Sequence, residues 1–396
     1  MSFSYTVLQV IPALDAGGAE RTTAEIARAV TSAGGRALVA SRGGRLAADI
    51  EAAGGQIFRM PVHSKNPLTM LANRRRLLRL IREEKVDIVH ARSRAPAWSA
   101  LWAARAAGVP FVTTYHGAYG AKTALKRFYN SAMVRADAVI ANSEFTKRAI
   151  CAQYAVDSEK LTAIPRGADF DQFDPAKVSL DQIAALAAAW GLDPSERRLR
   201  VLLPARLTDW KGHVTAIEAG ARLARRLETA SSASGQPIVL RIVFAGEAGR
   251  RRGYETALRE RIAERGVRDM IKLVGHCADM PAAYGWADVV VAPSTRPEAF
   301  GRVAVEAAAM GRPVIAAGHG GARETVVDGE TGLLIPPGDA PALADALGKL
   351  AEDAGMRAKM GARALQRARR LYSIEAMCAA TLGVYEKAAR KTRSAA

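Results

Sequence analysis

Asp288-Val-Val-Val-Ala292, Pro293-Ser-Thr-Arg-Pro-Glu298-Ala-Phe-Gly301 and Arg302-Val-Ala-Val-Glu306-Ala-Ala-Ala-Met310-Gly311-Arg-Pro313 are consecutive, and their reading decides the fold. The first run is short, apolar and β-branched, as a strand covered on both faces must be. The second is a polar loop. The alanines after Gly301 favour a helix. Gly311 stops that helix by taking the left-handed backbone that ends many helices, and Pro313 opens the next strand. Strand, loop, helix and strand in this order form one β-α-β unit.

The pattern repeats outward from there. It predicts strands at Thr6–Ile11, Ala37–Ala40, Gln56–Arg59, Asp87–His90, Phe111–Tyr115, Ala138–Ala141 and Leu161–Ile164. A second series follows at Arg200–Leu203, Val239–Ala245, Ile271–Val274, Asp288–Ala292, Pro313–Ala316 and Gly332–Ile335. Amphipathic stretches such as Val214–Leu227 and Ala340–Ala351 lie between strands as helices. Such alternation implies parallel sheets with helices on both faces. It halts near Phe170–Pro175, passes an alanine-rich helical stretch and resumes after Pro194-Ser-Glu-Arg-Arg198. Two domains are therefore expected, 1–172 and 196–372, with the polar stretch Thr229–Gln236 as a surface loop and the last twenty residues ending in a frayed basic tail.

At 396 residues the chain exceeds what one core usually serves. No apolar run approaches the ~20 residues of a membrane span, and the apolar N-terminus reads as a first strand rather than a leader. Three scattered cysteines, Cys151, Cys277 and Cys378, suggest neither a disulfide framework nor a metal site and suit a cytoplasmic protein. The net charge of +18 is uneven: Lys and Arg outnumber Asp and Glu 15 to 3 over residues 59–135. That excess points to a polyanionic partner. Asn73–Arg82 and Lys122–Tyr129 interleave cations with large apolar residues, a pattern suited to the anionic inner face of the membrane. A nucleic-acid-binding protein would share the charge, but no nucleic-acid module is present, so nucleic acid is not an expected partner.

In doubly wound sheets ligands gather at the carboxyl ends of strands. Gly17-Gly18 follows the first strand and opens a helix, where free N–H groups favour an anion; neither the dinucleotide nor the P-loop fingerprint occurs. Arg206 and Lys211 flank a strand-to-helix loop and can clamp a diphosphate. Glu298 stands beside a helix start, and Glu306 two turns along it; carboxylates accept hydrogen bonds from vicinal hydroxyls. His116 ends the fifth strand, before Gly117. No metal-ligand spacing is evident.

Taken together, Glu298-Ala-Phe-Gly-Arg-Val-Ala-Val-Glu306, Gly17-Gly18-Ala-Glu, Thr-Tyr-His116-Gly, Ala-Asn-Ser143 and Ile-Pro-Arg-Gly-Ala-Asp169 resemble retaining glycosyltransferase family 4, also called glycosyl transferases group 1. The resemblance implies the GT-B fold: two Rossmann-like, doubly wound parallel-sheet domains facing a central cleft, with a final helix near 373–390 returning to the first domain. It implies a UDP-, GDP- or ADP-sugar as donor, no cofactor and no metal. It makes Glu298 a contact to donor-sugar hydroxyls, Glu306 a contact to ribose, and Arg206 and Lys211 the diphosphate clamp. Gly17, Gly18, Phe300 and Gly301 assist through the backbone, His276 passes the nucleobase, and His116 lies against the transferred sugar. The acceptor expected is lipid-linked, a glycolipid or a cell-surface polysaccharide. A small soluble acceptor, as in sucrose- or trehalose-type synthases, and a non-catalytic sugar-nucleotide-binding protein are the alternatives. Two positions depart from the family pattern: Ala299 where Pro or Gly is common, and Arg166 where Asn is frequent.

Overall fold

Three aspartates, each just ahead of an apolar run, bracket the starts of parallel strands. Asp87 accepts the Thr6 N–H at 2.8 Å, Asp137 the Phe111 N–H at 2.8 Å, and Asp288 the Arg200 N–H at 2.9 Å. Each satisfies a backbone donor that the neighbouring strand leaves open. Asp87 and Asp288, expected as strand residues, are therefore the brackets, and their strands begin at Ile88 and Val289.

The computed structural model describes residues 3–15, 17–117, 119–120, 123–193, 198–234, 239–249 and 252–395. The expected restart at 194–197, the end of the expected loop at 235–236, and Lys122 lie outside them. The described residues form two compact units, Met1–Gly167 with Ile374–Ala396, and Ala168–Ser373.

The first unit carries β1 (Thr6–Val10), α1 (Gly18–Ser32), β2 (Arg36–Ser41), α2 (Ala47–Ala52), β3 (Gln56–Arg59), α3 (Pro67–Glu83), β4 (Ile88–Ala91), α4 (Arg94–Ala107), β5 (Phe111–Tyr115), α5 (Ala124–Ser131), β6 (Ala138–Ala141), α6 (Glu144–Gln153) and β7 (Leu161–Ala163). Its strands form one parallel sheet, order β3-β2-β1-β4-β5-β6-β7. Alternate residues serve opposite faces. Leu8 and Val10 join Leu77, Leu80 and Leu101 of α3 and α4, whereas Val7 and Ile11 join Ile26 and Val30 of α1.

The second unit carries α7 (Leu180–Ala189), β8 (Arg198–Pro204), α8 (His213–Ser234), β9 (Val239–Ala245), α9 (Arg252–Glu264), β10 (Ile271–Gly275), α10 (Met280–Trp286), β11 (Val289–Ala292), α11 (Arg302–Ala309), β12 (Val314–Ala317), α12 (Ala322–Thr325), β13 (Gly332–Ile335), α13 (Ala340–Glu352) and α14 (Ala354–Leu371). Its parallel sheet runs β10-β9-β8-β11-β12-β13. Both units are thus Rossmann-like.

The last helix, α15 (Ile374–Ala395), belongs to the first unit. Met377, Tyr385, Ala388 and Ala389 are buried against the α1 face, and the Tyr385 hydroxyl lies 2.6 Å from His90 Nδ1. The expected frayed tail is helical to Ala395. Two further expectations shift. Phe173, in the proposed boundary, is 2% exposed and sits in the second unit's core, so the division falls at Gly167–Ala168. Residues 229–234 continue α8 rather than forming a loop, because Glu228-Thr-Ala-Ser-Ser-Ala233 follows a helix already nucleated. Among the described residues no helix is long and apolar enough to cross a membrane.

Candidate functional site

In the second unit the site is assembled from loops at the carboxyl ends of β8, β11 and β12. The loop after β8 carries Arg206 and Lys211 and is pinned to the loop after β11. The Thr295 N–H donates to the Trp210 carbonyl at 2.8 Å, and Arg296 pairs with Asp209 at 2.9 Å. Gly212 lets the two loops touch. Its φ is +80°, and a Cβ there would come within 2.0 Å of the Pro293 carbonyl oxygen.

That approach brings Lys211 Nζ to 2.9 Å from Glu298 Oε1, with the side chains 14% and 18% exposed. Ser294 donates to the same oxygen at 2.5 Å. Arg206 is exposed and has no hydrogen bond or ion pair with the described residues. The two residues expected to clamp a diphosphate are therefore in different states: Lys211 is held by Glu298, and Arg206 is exposed.

Gly301 caps α11 with φ +84°, and Glu306 follows within that helix. Arg302 donates to Glu306 Oε1 at 2.8 Å, and the Tyr284 hydroxyl to Oε2 at 2.9 Å. Burial of Tyr284, reinforced by the Glu306 charge, pushes its hydroxyl well above its ordinary range, so it remains a donor. The expected burial of Glu306 thus comes with two partners.

Phe300 precedes the cap of α11. Its ring is 4% exposed and meets Tyr372 edge-on at 5.6 Å between centroids, leaving only its backbone for a ligand. His276 follows β10 and is exposed.

In the first unit, Gly17 caps α1 with φ −73°, an ordinary backbone angle. Its N–H donates to the Glu20 carboxylate. An internal anion thus occupies the helix start predicted to receive a phosphate. Gly18 is the first residue of that helix.

His116 follows β5, and its Nδ1 meets an Arg166 nitrogen. Burial, then the charges of Arg166 and Arg92, push its imidazole well below the ordinary histidine range. It is neutral at physiological pH. On the adjacent strand, His90 is likewise held neutral by burial and Arg92, and its Nε2 lies 2.8 Å from Thr114 Oγ1.

The sequence profile of Glycosyltransferase Family 4 matches residues 16–172, and that of Glycosyl transferases group 1 matches residues 190–367. A solved glycosyltransferase from Rickettsia africae ESF-5 is 32% identical, covers 97% of this chain and is itself 98% covered, with a TM-score of 0.88. The chain belongs to the family 4, group 1 glycosyltransferases. HepE from Anabaena, solved with UDP and glucose, superimposes at a TM-score of 0.81 with 24% identity, covering 96% of this chain and 99% of its own. These likenesses give each unit its place in the GT-B fold. The D-inositol 3-phosphate glycosyltransferase of Salinispora tropica is 33% identical over 264 residues, 66% of this chain. That match spans about half, 53%, of the Salinispora protein's length.

Sequence reasoning assigned no role to three residues that support this site. His319 lines the same small cleft as Ser294, Glu298 and Gly301, with its Nε2 2.8 Å from the Ser294 carbonyl. Gly320, at φ +60°, passes so close to Glu298 that a Cβ would lie 2.4 Å from its carbonyl oxygen. The Gly321 N–H then donates to that carbonyl at 2.8 Å. The Gly-His-Gly-Gly run at 318–321 was a visible signal, but its target lies some twenty residues upstream.

Proposed function

We propose that this family member transfers a hexose from a nucleotide-diphosphate sugar to an acceptor hydroxyl with retention of anomeric configuration and without a metal. The observation that carries the reading is the Lys211–Glu298 pair, which places a cation and a carboxylate 2.9 Å apart, with the exposed Arg206 on the same loop as Lys211. In the reaction the bond between the anomeric carbon and the leaving diphosphate oxygen breaks. The acceptor oxygen bonds to the same face, and its proton passes to the leaving phosphate. Lys211 and Arg206 stabilise the charge that develops on that phosphate. Glu298 orients the sugar, and Glu306 takes the ribose hydroxyls. Neutral His116 presents a hydrogen-bonding edge to the sugar without opposing the positive character of its transition state.

Thermal stabilisation by UDP, GDP and ADP in parallel is the direct test. One of the three raises Tm; no response to any of them overturns the reading. UDP is the first choice, because HepE was solved with it. Full turnover in EDTA supports metal independence, and loss restored only by a divalent cation counts against it. The anomeric proton coupling of the product decides retention.

The acceptor proposed is lipid-linked, a glycolipid or a cell-surface polysaccharide, reached by peripheral docking on the inner face of the cytoplasmic membrane. Leu68, Leu71, Leu125 and Phe128, 77%, 49%, 79% and 58% exposed, stand on α3 and α5 among Arg74, Arg75, Lys126 and Arg127. Exposed apolar side chains among cations suit the interface of an anionic bilayer. Vesicles containing anionic lipid should sediment the protein while neutral vesicles leave it in solution. Equal recovery with both favours a second reading, a small soluble acceptor, which the Salinispora relative's name supports.

A further inference from the structure

Arg92 is an unusual residue to find inside a protein. It follows β4, is 1% exposed, and two of its nitrogens, Nε and Nη2, have no hydrogen-bond partner among the described residues. Tyr385 accepts a hydrogen bond from it, and the carboxylate that acts on it through space is Glu25. A buried guanidinium with two of its three nitrogens unpartnered forfeits much of its hydration and receives only part of it back. A protein that keeps one there has a use for it.

The neighbourhood extends the point. His116, at the end of the adjacent strand β5, lies within the field of Arg92 and has its Nε2 buried without a partner. Its Nδ1 is in contact with Arg166, itself 8% exposed, at the end of β7. Three nitrogen-bearing side chains thus converge from the carboxyl ends of three strands, where ligands of such sheets bind. Two are guanidiniums, whose planar forks match phosphate oxygens. The third is a neutral imidazole. The cations proposed for the nucleotide diphosphate, Arg206 and Lys211, belong to the second unit.

We infer that Arg92 and Arg166, with His116 held between them, form an anion pocket in the first unit that binds a phosphate group carried by the acceptor. This rests on the glycosyltransferase reading and on the first unit as the acceptor side. It narrows the acceptor to molecules bearing a phosphate near the hydroxyl that receives the sugar. Arg166, the departure from the family's usual Asn, is then a specificity determinant, whereas an uncharged residue there would suit neutral acceptors.

The test is calorimetric titration of inorganic phosphate, at constant ionic strength, into the full chain saturated with UDP. Wild-type protein should bind phosphate, and Arg92→Met and Arg166→Asn should each weaken that binding tenfold or more. UDP affinity should change less than twofold in either variant. No phosphate binding to the UDP-loaded wild type overturns the inference, as does wild-type phosphate affinity in both variants. A parallel fall in UDP affinity also overturns it, because the pocket would then hold the donor's phosphate. If Arg92→Met does not fold, Arg166→Asn, at the pocket's more accessible edge, carries the test alone. UDP binding keeps the two readings apart. If UDP fails to bind, the proposed function fails, and phosphate is then titrated into an Arg206→Ala, Lys211→Ala chain to read the pocket by itself.

Discussion

The two units share one topology and treat charge in opposite ways. In the second unit each carboxylate of the site has its own cation, Glu298 with Lys211 and Glu306 with Arg302, and the pairs are only partly buried. In the first unit the buried groups are Arg92 and Arg166, accompanied by histidines that burial holds neutral. A paired site holds its geometry before any ligand arrives, and a ligand must compete with the internal partner. Arg92 keeps two nitrogens without a partner among the described residues, and an entering anion would meet them. The difference suits a donor whose sugar and ribose hydroxyls replace internal hydrogen bonds, and an acceptor that brings negative charge.

Breaking the paired side should have the largest effect. Lys211→Ala and Glu298→Gln should each lower kcat/KM by roughly 10²–10³-fold, the usual cost of removing one preorganised electrostatic contact. A loss below about fivefold in steady-state kinetics would mean that neither acts on the reacting centre. Gly212→Ala attacks the same pair through the backbone. Both its left-handed φ and the nearby Pro293 carbonyl oppose a Cβ, so stability should fall by on the order of 1–3 kcal/mol. Differential scanning calorimetry reads this as a lower Tm for the second unit's transition; an unchanged Tm would show that the loops can separate freely.

Glu306→Gln is a milder test. It keeps the shape, removes the charge facing Arg302 and weakens the ribose contact, so UDP affinity should fall about tenfold, or 1.4 kcal/mol. Calorimetry showing unaltered affinity would leave Glu306 a structural partner of Tyr284 and Arg302 only.

The smallest effect concerns a histidine outside both sites. Burial, with Lys211 adding to it, depresses the imidazole of His213 to about 4. The unfolded chain therefore takes up this proton before the folded one does. The stabilisation is complete above the unfolded pKa, near 6.5, and is lost as pH falls from there towards 4. His213→Leu should flatten the dependence of stability on pH over that window, while His90 and His116 retain their shares. Parallel curves for variant and wild type in urea unfolding at pH 7 and 5 would remove His213 from the balance.

Much of the fold was legible because the period of apolar residues is a local property. All thirteen expected strands appear, most within a residue of their expected ends. The errors fell where local pattern is silent: polar residues 229–234 continue a helix begun upstream, and Phe173 left its proposed boundary for a distant core. The candidate site divides in the same way. Glu298 and Glu306 are named by their spacing on one segment, and Arg206 and Lys211 by their loop. The Glu20 carboxylate at Gly17 was three residues away in plain sequence, yet its occupation of the helix start is a matter of side-chain geometry. Arg92 gave no signal, since an arginine after a strand reads as a surface cation until its burial is known.

The sequence by itself determined the alternation of strands and helices and the family, and named the residues proposed to meet a nucleotide-sugar, because periodicity and residue chemistry are written along the chain. Only the tertiary structure decided which of those groups meet and which are buried. Lys211 and Glu298 are 87 residues apart in the numbering, and His116 and Arg166 are 50 apart. Whether a charge is paired depends on distances across folded strands and on the water removed around it, and neither exists before the chain folds.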